Sequence, residues 1–119
     1  MKQERYPYIG NPYGFILPQR KEVIHPVIKQ WDDFTENDKA ILQNIKNVIF
    51  SIIGECRICA FGSRVKGNWD ENSDYDVVVT SIPNYDIQHK IKTHDYGHRV
   101  DVFFRNSDNN KFDAEVEIL

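Results

Sequence analysis

Ile41, Leu42, Ile45, Val48, Ile49 and Ile52 recur at three- and four-residue intervals, the spacing of a helix with one buried stripe. Thr35 stands where an N-cap belongs, Glu36 and Asp38 suit the positive end of the helix dipole, and Gly54 supplies a stop. Beyond Gly54 the pattern changes. Arg57 to Phe61, Asp74 to Thr80 and Arg99 to Phe104 are short apolar-rich runs that predict strands, and Glu115 to Leu119 predicts a final edge strand. A polar loop from Lys66 to Ser73 separates the first two. A turn at Pro83 and a short helical segment, Asp86 to Lys92, lead to the third, and Asn106 to Asn110 form a loop. This order predicts an α/β (α+β) fold, a small mixed sheet packed by helices.

Residues 1–33 have a different character. Pro7, Pro12 and Pro18 alternate with Tyr6, Tyr8, Tyr13 and Phe15, so a helix is not expected, and the aromatics make the stretch too apolar for a solvated linker. The expectation is an extended arm, residues 1–33, laid across the domain or a partner, followed by one domain at 34–119. An arm of this kind is also suited to exchange between protomers.

Composition narrows the function. The 119 residues make one domain, and 40% hydrophobic with 28% charged residues is enough for one core and a solvated surface. Fifteen Lys and Arg against eighteen Asp and Glu leave a net charge of −3, so nucleic-acid binding through phosphates is not indicated. A nucleotide ligand stays open, because metal ions can neutralise phosphates in an acidic pocket. No apolar stretch reaches the roughly 20 residues of a membrane span, and Met1 to Arg5 lacks the apolar run of a secretory signal. Two cysteines are no disulfide framework. The expectation is a soluble, cytoplasmic protein.

Three features carry chemistry. Asp74 and Asp76 are two apart in a strand, so both carboxylates project to one face, where they repel unless a cation lies between them. Such a pair at the mouth of a valine-rich strand suits a divalent metal with oxygen ligands, although a loop cap and a solvated strand end would look the same. Asp101 is the lone carboxylate in a run that reads as a buried strand, where a charge is costly unless metal-bound or paired, here with Arg99 or Arg105. If its strand neighbours that of Asp76, three carboxylates meet, a set that two metals about 4 Å apart can share. Gly62 and Ser63 end the first strand. If Ser63 opens a helix, its hydroxyl and free N–H groups face an anion, with Arg64 and Lys66 adding positive charge. Alone, Gly-Ser reads as a turn.

Together, Gly62-Ser63, Gly67, Ser73-Asp74-Tyr75-Asp76 with its valines, and the later Asp101 resemble the nucleotidyltransferase superfamily of DNA polymerase β, in particular its minimal, stand-alone domains. The resemblance covers roughly residues 40 to 105, without the arm. It implies that Asp74 and Asp76 ligate both metal ions (Mg²⁺ or Mn²⁺), with Asp101 on the catalytic one, helping to deprotonate the acceptor. Gly62 and Ser63 would hold ATP or another nucleoside triphosphate, with Arg64 and Lys66 beside them, and NMP, most readily AMP, would move to a protein or small-molecule acceptor. Larger members carry a helical domain for the acceptor, and nothing after Asp101 is long enough for one. A partner protein, a homodimer or the arm is therefore expected to complete the site. Some minimal members are antitoxins that modify a helical ribonuclease toxin with AMP, and a non-catalytic, antitoxin-like module acting by contact is the alternative. A structural phosphate- or metal-binding protein is a third.

Other signals fail. Gly62 to Gly67 has P-loop glycine spacing, but Asn68 and Trp69 replace the Lys and Ser/Thr. Asp70, Asn72 and Asp74 begin like a calcium loop, yet Tyr75 replaces its glycine and Ser81 its Glu. Cys56 and Cys59, three apart in a strand, would face opposite sides, which favours buried side chains over zinc ligands. His89, His94 and His98 fall in a polar connection and read as surface residues.

Overall fold

The computed structural model describes residues 24–109 and 111–119. Residues 1–23, most of the expected arm, lie outside the described residues. A 3₁₀ turn, Trp31–Asp33, precedes helix α1 (Glu36–Ile53), and strand β1 (Ile58–Phe61) leads into one helical turn, α2 (Ser63–Lys66). Strand β2 (Tyr75–Thr80), helix α3 (Tyr85–Thr93), strand β3 (Val100–Arg105) and strand β4 (Val116–Glu117) complete the chain.

The local signals operate as read. The Thr35 hydroxyl accepts from the Asp38 amide at 3.1 Å, and Gly54 ends α1 with a φ of 88°. The Asn84 side chain caps α3 by accepting from the Ile87 amide at 3.0 Å. The fourth strand is shorter than expected.

The sheet is mixed, with strand order β3-β2-β1-β4. β1 lies antiparallel to both β2 and β4, while β2 and β3 are parallel, with α3 as the crossover between them. One face is built from Ile58, Ala60, Tyr75, Val77, Val79, Val102 and Val116. It packs on Leu42, Ile45 and Ile49 of α1 and Ile91 of α3, forming the core. Each fully buried aliphatic side chain there contributes about 1.5–3 kcal/mol.

Strand alternation places Cys59, Phe61, Asp76, Val78, Asp101, Phe103 and Arg105 on the other face. That face is covered too. Phe112 stacks on Phe61 with centroids 4.3 Å apart and meets Phe103 edge-on at 5.7 Å, while Arg105 pairs with Glu115 and Asp108. Cys59 and Val78 are buried. This explains the unbroken valines of β2: the strand is central and covered on both sides.

The expectation that Asp101 sits in a buried strand is corrected. Among the described residues β3 is an edge strand, and Asp101 is exposed while Val102 beside it is buried. Its charge can therefore be carried in contact with water, without the cost of burial.

Residues 24–28 lie against α2 and the following loop. The His25 amide donates to the Gly67 carbonyl at 2.7 Å and the Ile28 amide to that of Val65 at 2.9 Å. Gly67 is required here, since its φ is +90° and a Cβ would come within 2.3 Å of the His25 carbonyl oxygen. No helix among the described residues is long and apolar enough to cross a membrane.

Candidate active site

Parallel pairing of β2 and β3 puts Asp76 directly beside Asp101, and Asp74, just before β2, joins them on the same face. One oxygen from each carboxylate lies within 4.8 Å of the others. Asp74 and Asp76 are half-buried, and Asp101 is exposed. Burial, followed by the charges of Asp101 and Asp74, pushes the Asp76 carboxyl up to about 6.

Among the described residues Asp74 has one cationic neighbour. Arg99 Nε lies 2.9 Å from its Oδ1, but that oxygen is buried and no hydrogen bond is formed, because the N–H is not aligned with it. The expected ion-pair alternative for Asp101 is not seen: Arg99 turns to Asp74, and Arg105 to Glu115 and Asp108. The donor set fits a metal. Three hard carboxylates converge, one carries a pKa raised by burial and then by its two neighbours' charges, and one presents a buried oxygen that faces the Arg99 cation without a hydrogen bond.

Gly62 sits at the end of β1 against this cluster. Its φ of 77° and ψ of −154° fall in a region essentially restricted to glycine, and Asp76 occupies the space a side chain would need. Ser63 opens α2 and is half-buried. Lys66 ends α2, exposed, with Nζ 3.7 Å from an Asp113 oxygen, a loose pair of little energetic weight.

Arg64 does not join the carboxylates. It is buried with only 8% exposure, and its guanidinium lies 4.3 Å from the centroids of both the Trp69 and Tyr75 rings, on the helical side of the sheet. Its Nη2 donates to the Ser73 carbonyl at 3.1 Å. One helical step turns the Arg64 side chain roughly 100° away from that of Ser63. Beside this stack a cavity of about 310 Å³ is lined by Asp38, Tyr75, His98 and neighbours. The Tyr75 hydroxyl donates to Asp38 at 2.7 Å, a partnership that residues 37 apart in sequence gave no sign of.

The two cysteines are free: Cys59 is buried on the strand face beneath Phe112's loop, and Cys56 is half-buried ahead of β1. His89, His94 and His98 are exposed. Among the described residues, the one group of His, Cys, Asp and Glu side chains placed to hold a metal is the aspartate triad.

A mixed four-stranded sheet with helices on one face, a glycine-serine turn at a strand end and three grouped carboxylates beside it define a nucleotidyltransferase-type domain. The chain belongs to the nucleotidyltransferase domain family, whose model matches residues 42–118, a span that includes every residue of this site. A search of the curated proteins gave no match.

Proposed function

We propose that this protein is a metal-dependent nucleotidyltransferase that moves NMP, specifically AMP from ATP, to a protein or small-molecule acceptor. The observation that carries this reading is the meeting of Asp74, Asp76 and Asp101 within 4.8 Å, with Gly62 packed against Asp76. Asp74, Asp76 and Asp101 would hold Mg²⁺ or Mn²⁺, which would neutralise charge on the attacking and leaving oxygens of an in-line displacement.

The remaining roles belong to the chain itself. Gly62 lets the triphosphate approach the backbone, and the Ser63 hydroxyl donates to it. Lys66 can exchange its loose contact with Asp113 for a phosphate. Asp101, the most exposed of the three carboxylates, takes the acceptor's proton. The acceptor's lone pair bonds to the α-phosphorus as the bond to the bridging oxygen breaks, and pyrophosphate leaves with that electron pair. Phe103 and Phe112, each 38% exposed on the same face, support completion of the acceptor side by a partner protein or a second copy. Two free cysteines in the chain support a cytoplasmic setting.

The test is calorimetric titration of ATP with and without Mg²⁺, for the wild type and Asp76→Asn. Magnesium-dependent binding, lost in the variant, is expected. A folded wild type that binds no ATP under either condition would favour a module acting by contact.

A further inference from the structure

We infer that Arg64 is a positioning residue that sets Asp74 from the far face of the sheet by tying α2 to the loop that delivers it; this rests on the metal-site reading above. Asp74 follows a tight turn. The Ser73 amide donates to the Asp70 carbonyl at 3.0 Å, the Asp70 amide to Ser73 Oγ at 2.9 Å, and the Asn72 amide to Asp70 Oδ1 at 2.8 Å. These bonds shape the turn internally but do not attach it to the domain. Two arginines do so: Arg99 donates Nη1 to the Asn72 carbonyl at 3.3 Å, and Arg64 donates Nη2 to the Ser73 carbonyl, one residue ahead of Asp74.

The guanidinium is itself held by two rings. His25 stacks on Trp69 with centroids 3.6 Å apart and planes 4° from parallel, and the Arg64 guanidinium carbon lies 4.3 Å from the centroids of both Trp69 and Tyr75. Tyr75 lies between the two metal-side aspartates and is anchored in turn through Asp38. The stack therefore runs from segment 24–28 to β2 and leaves Arg64 little freedom. Only a planar cation can stack on two rings and still donate sideways; an ammonium cannot.

Packing alone does not account for a charge here. Arg64 Nε is buried and has no hydrogen-bond partner, a cost that an apolar residue of similar length would avoid. What the guanidinium adds is its stacking on Trp69 and Tyr75 together with the bond to Ser73. Because Arg64 follows Ser63 directly, the same short helix presents the phosphate-side serine on one face and clamps the metal-side loop on another.

The test compares wild type, Arg64→Met and Arg64→Lys, with Ile91→Val as a core control, by Mn²⁺ titration followed by electron paramagnetic resonance well below each melting temperature. Arg64→Met is expected to stay folded and to bind Mn²⁺ about tenfold or more weakly, the size of effect typical of groups that orient metal ligands. Arg64→Lys should recover only part of the loss, and Ile91→Val should bind like the wild type. Unchanged affinity in folded Arg64→Met would overturn the inference, as would an equal loss in Ile91→Val. If the wild type takes up no Mn²⁺, the metal reading itself fails. Hydrogen exchange then decides the positioning role: faster exchange of the Ser73 and Tyr75 amides in Arg64→Met, with that of Thr80 unchanged, supports it, and unaltered exchange overturns it.

Discussion

The Asp76 carboxylate stands in the space that a side chain at position 62 would need: a Cβ built on Gly62 lies 2.2 Å from Asp76 Oδ2 and 3.1 Å from its Cγ. Antiparallel pairing of β1 with β2 sets Phe61 opposite Asp76, and the chain then turns at Gly62 across the carboxylate. Glycine thus meets two needs, a backbone conformation closed to other residues and room for a metal-side carboxylate.

Gly62→Ala should therefore damage fold and site together. The backbone region alone costs about 1–3 kcal/mol for a non-glycine residue, and the methyl group must displace Asp76. Thermal unfolding should show that loss, and Mn²⁺ binding should weaken in the fraction that remains folded. An alanine variant with wild-type metal affinity would mean that Asp76 has another productive position.

Asp76 carries the clearest pH dependence. Its carboxyl, ordinarily at 3.8, is pushed up to about 6 by burial and by Asp101 and Asp74. A raised value favours the protonated form in the fold. In metal-free protein this contribution to stability is present below about pH 4 and is lost as pH rises through about 6. Asp76→Asn should remove that slope and raise the melting temperature of metal-free protein at pH 7.5 while abolishing metal binding. Divalent metal needs the ionised carboxylate, so wild-type affinity should fall as pH drops below about 6. Denaturation across pH 4–8 in the presence of a chelator, beside metal titrations, checks both.

Tyr75→Phe tests the other face. Burial, then the hydrogen bond to Asp38 and its charge, push the Tyr75 phenol up to about 12. Removing the hydroxyl leaves Asp38, only 8% exposed, without the 2.7 Å donor. Loss of a partner for a buried polar group costs about 1–3 kcal/mol, which urea unfolding would resolve. The phenyl ring still stacks on Arg64, so metal affinity should change far less than in Arg64→Met.

Much of this was legible because the signals are local. The stripe from Ile41 to Ile52, the Thr35 cap and the Gly54 stop depend on near neighbours, and the aspartates follow strand alternation. Three features were not. Val100, Asp101, Val102, Phe103 and Phe104 are apolar enough to read as a buried strand, but which strand forms the edge is set by sheet order, so Asp101 proved exposed. Arg64 borders Ser63 in sequence yet points elsewhere, because one helical step turns the side chain away. Asn106 to Asn110 read as a loop and Glu115 as the start of an edge strand, while Phe112 and Glu115 fold back over the sheet.

That return makes the last prediction. Arg105 and Glu115 are each only 5% exposed at the side chain; Arg105 Nη2 donates to Glu115 Oε1 at 2.9 Å, and the Phe112 amide donates to Oε2 at 2.7 Å. Burial pushes the Glu115 carboxyl up, but Arg105 and the Phe112 amide together hold it below its ordinary 4.5. A depressed value contributes stability that is present above about pH 4.5 and is lost as pH falls through the lower folded value. Glu115→Ala removes one buried partner of Arg105, which keeps Asp108 and Thr80, and should cost about 1–3 kcal/mol. It should also release Phe112 from Phe61 and Phe103, since the amide that turns Phe112 inward loses its acceptor. Unfolding at pH 7 should show the loss. A tryptic cut at Lys111, slow in the wild type and fast in Glu115→Ala, should show that the loop has lifted from the sheet face beside Asp101, and equal cleavage rates would mean that the ion pair does not hold it there.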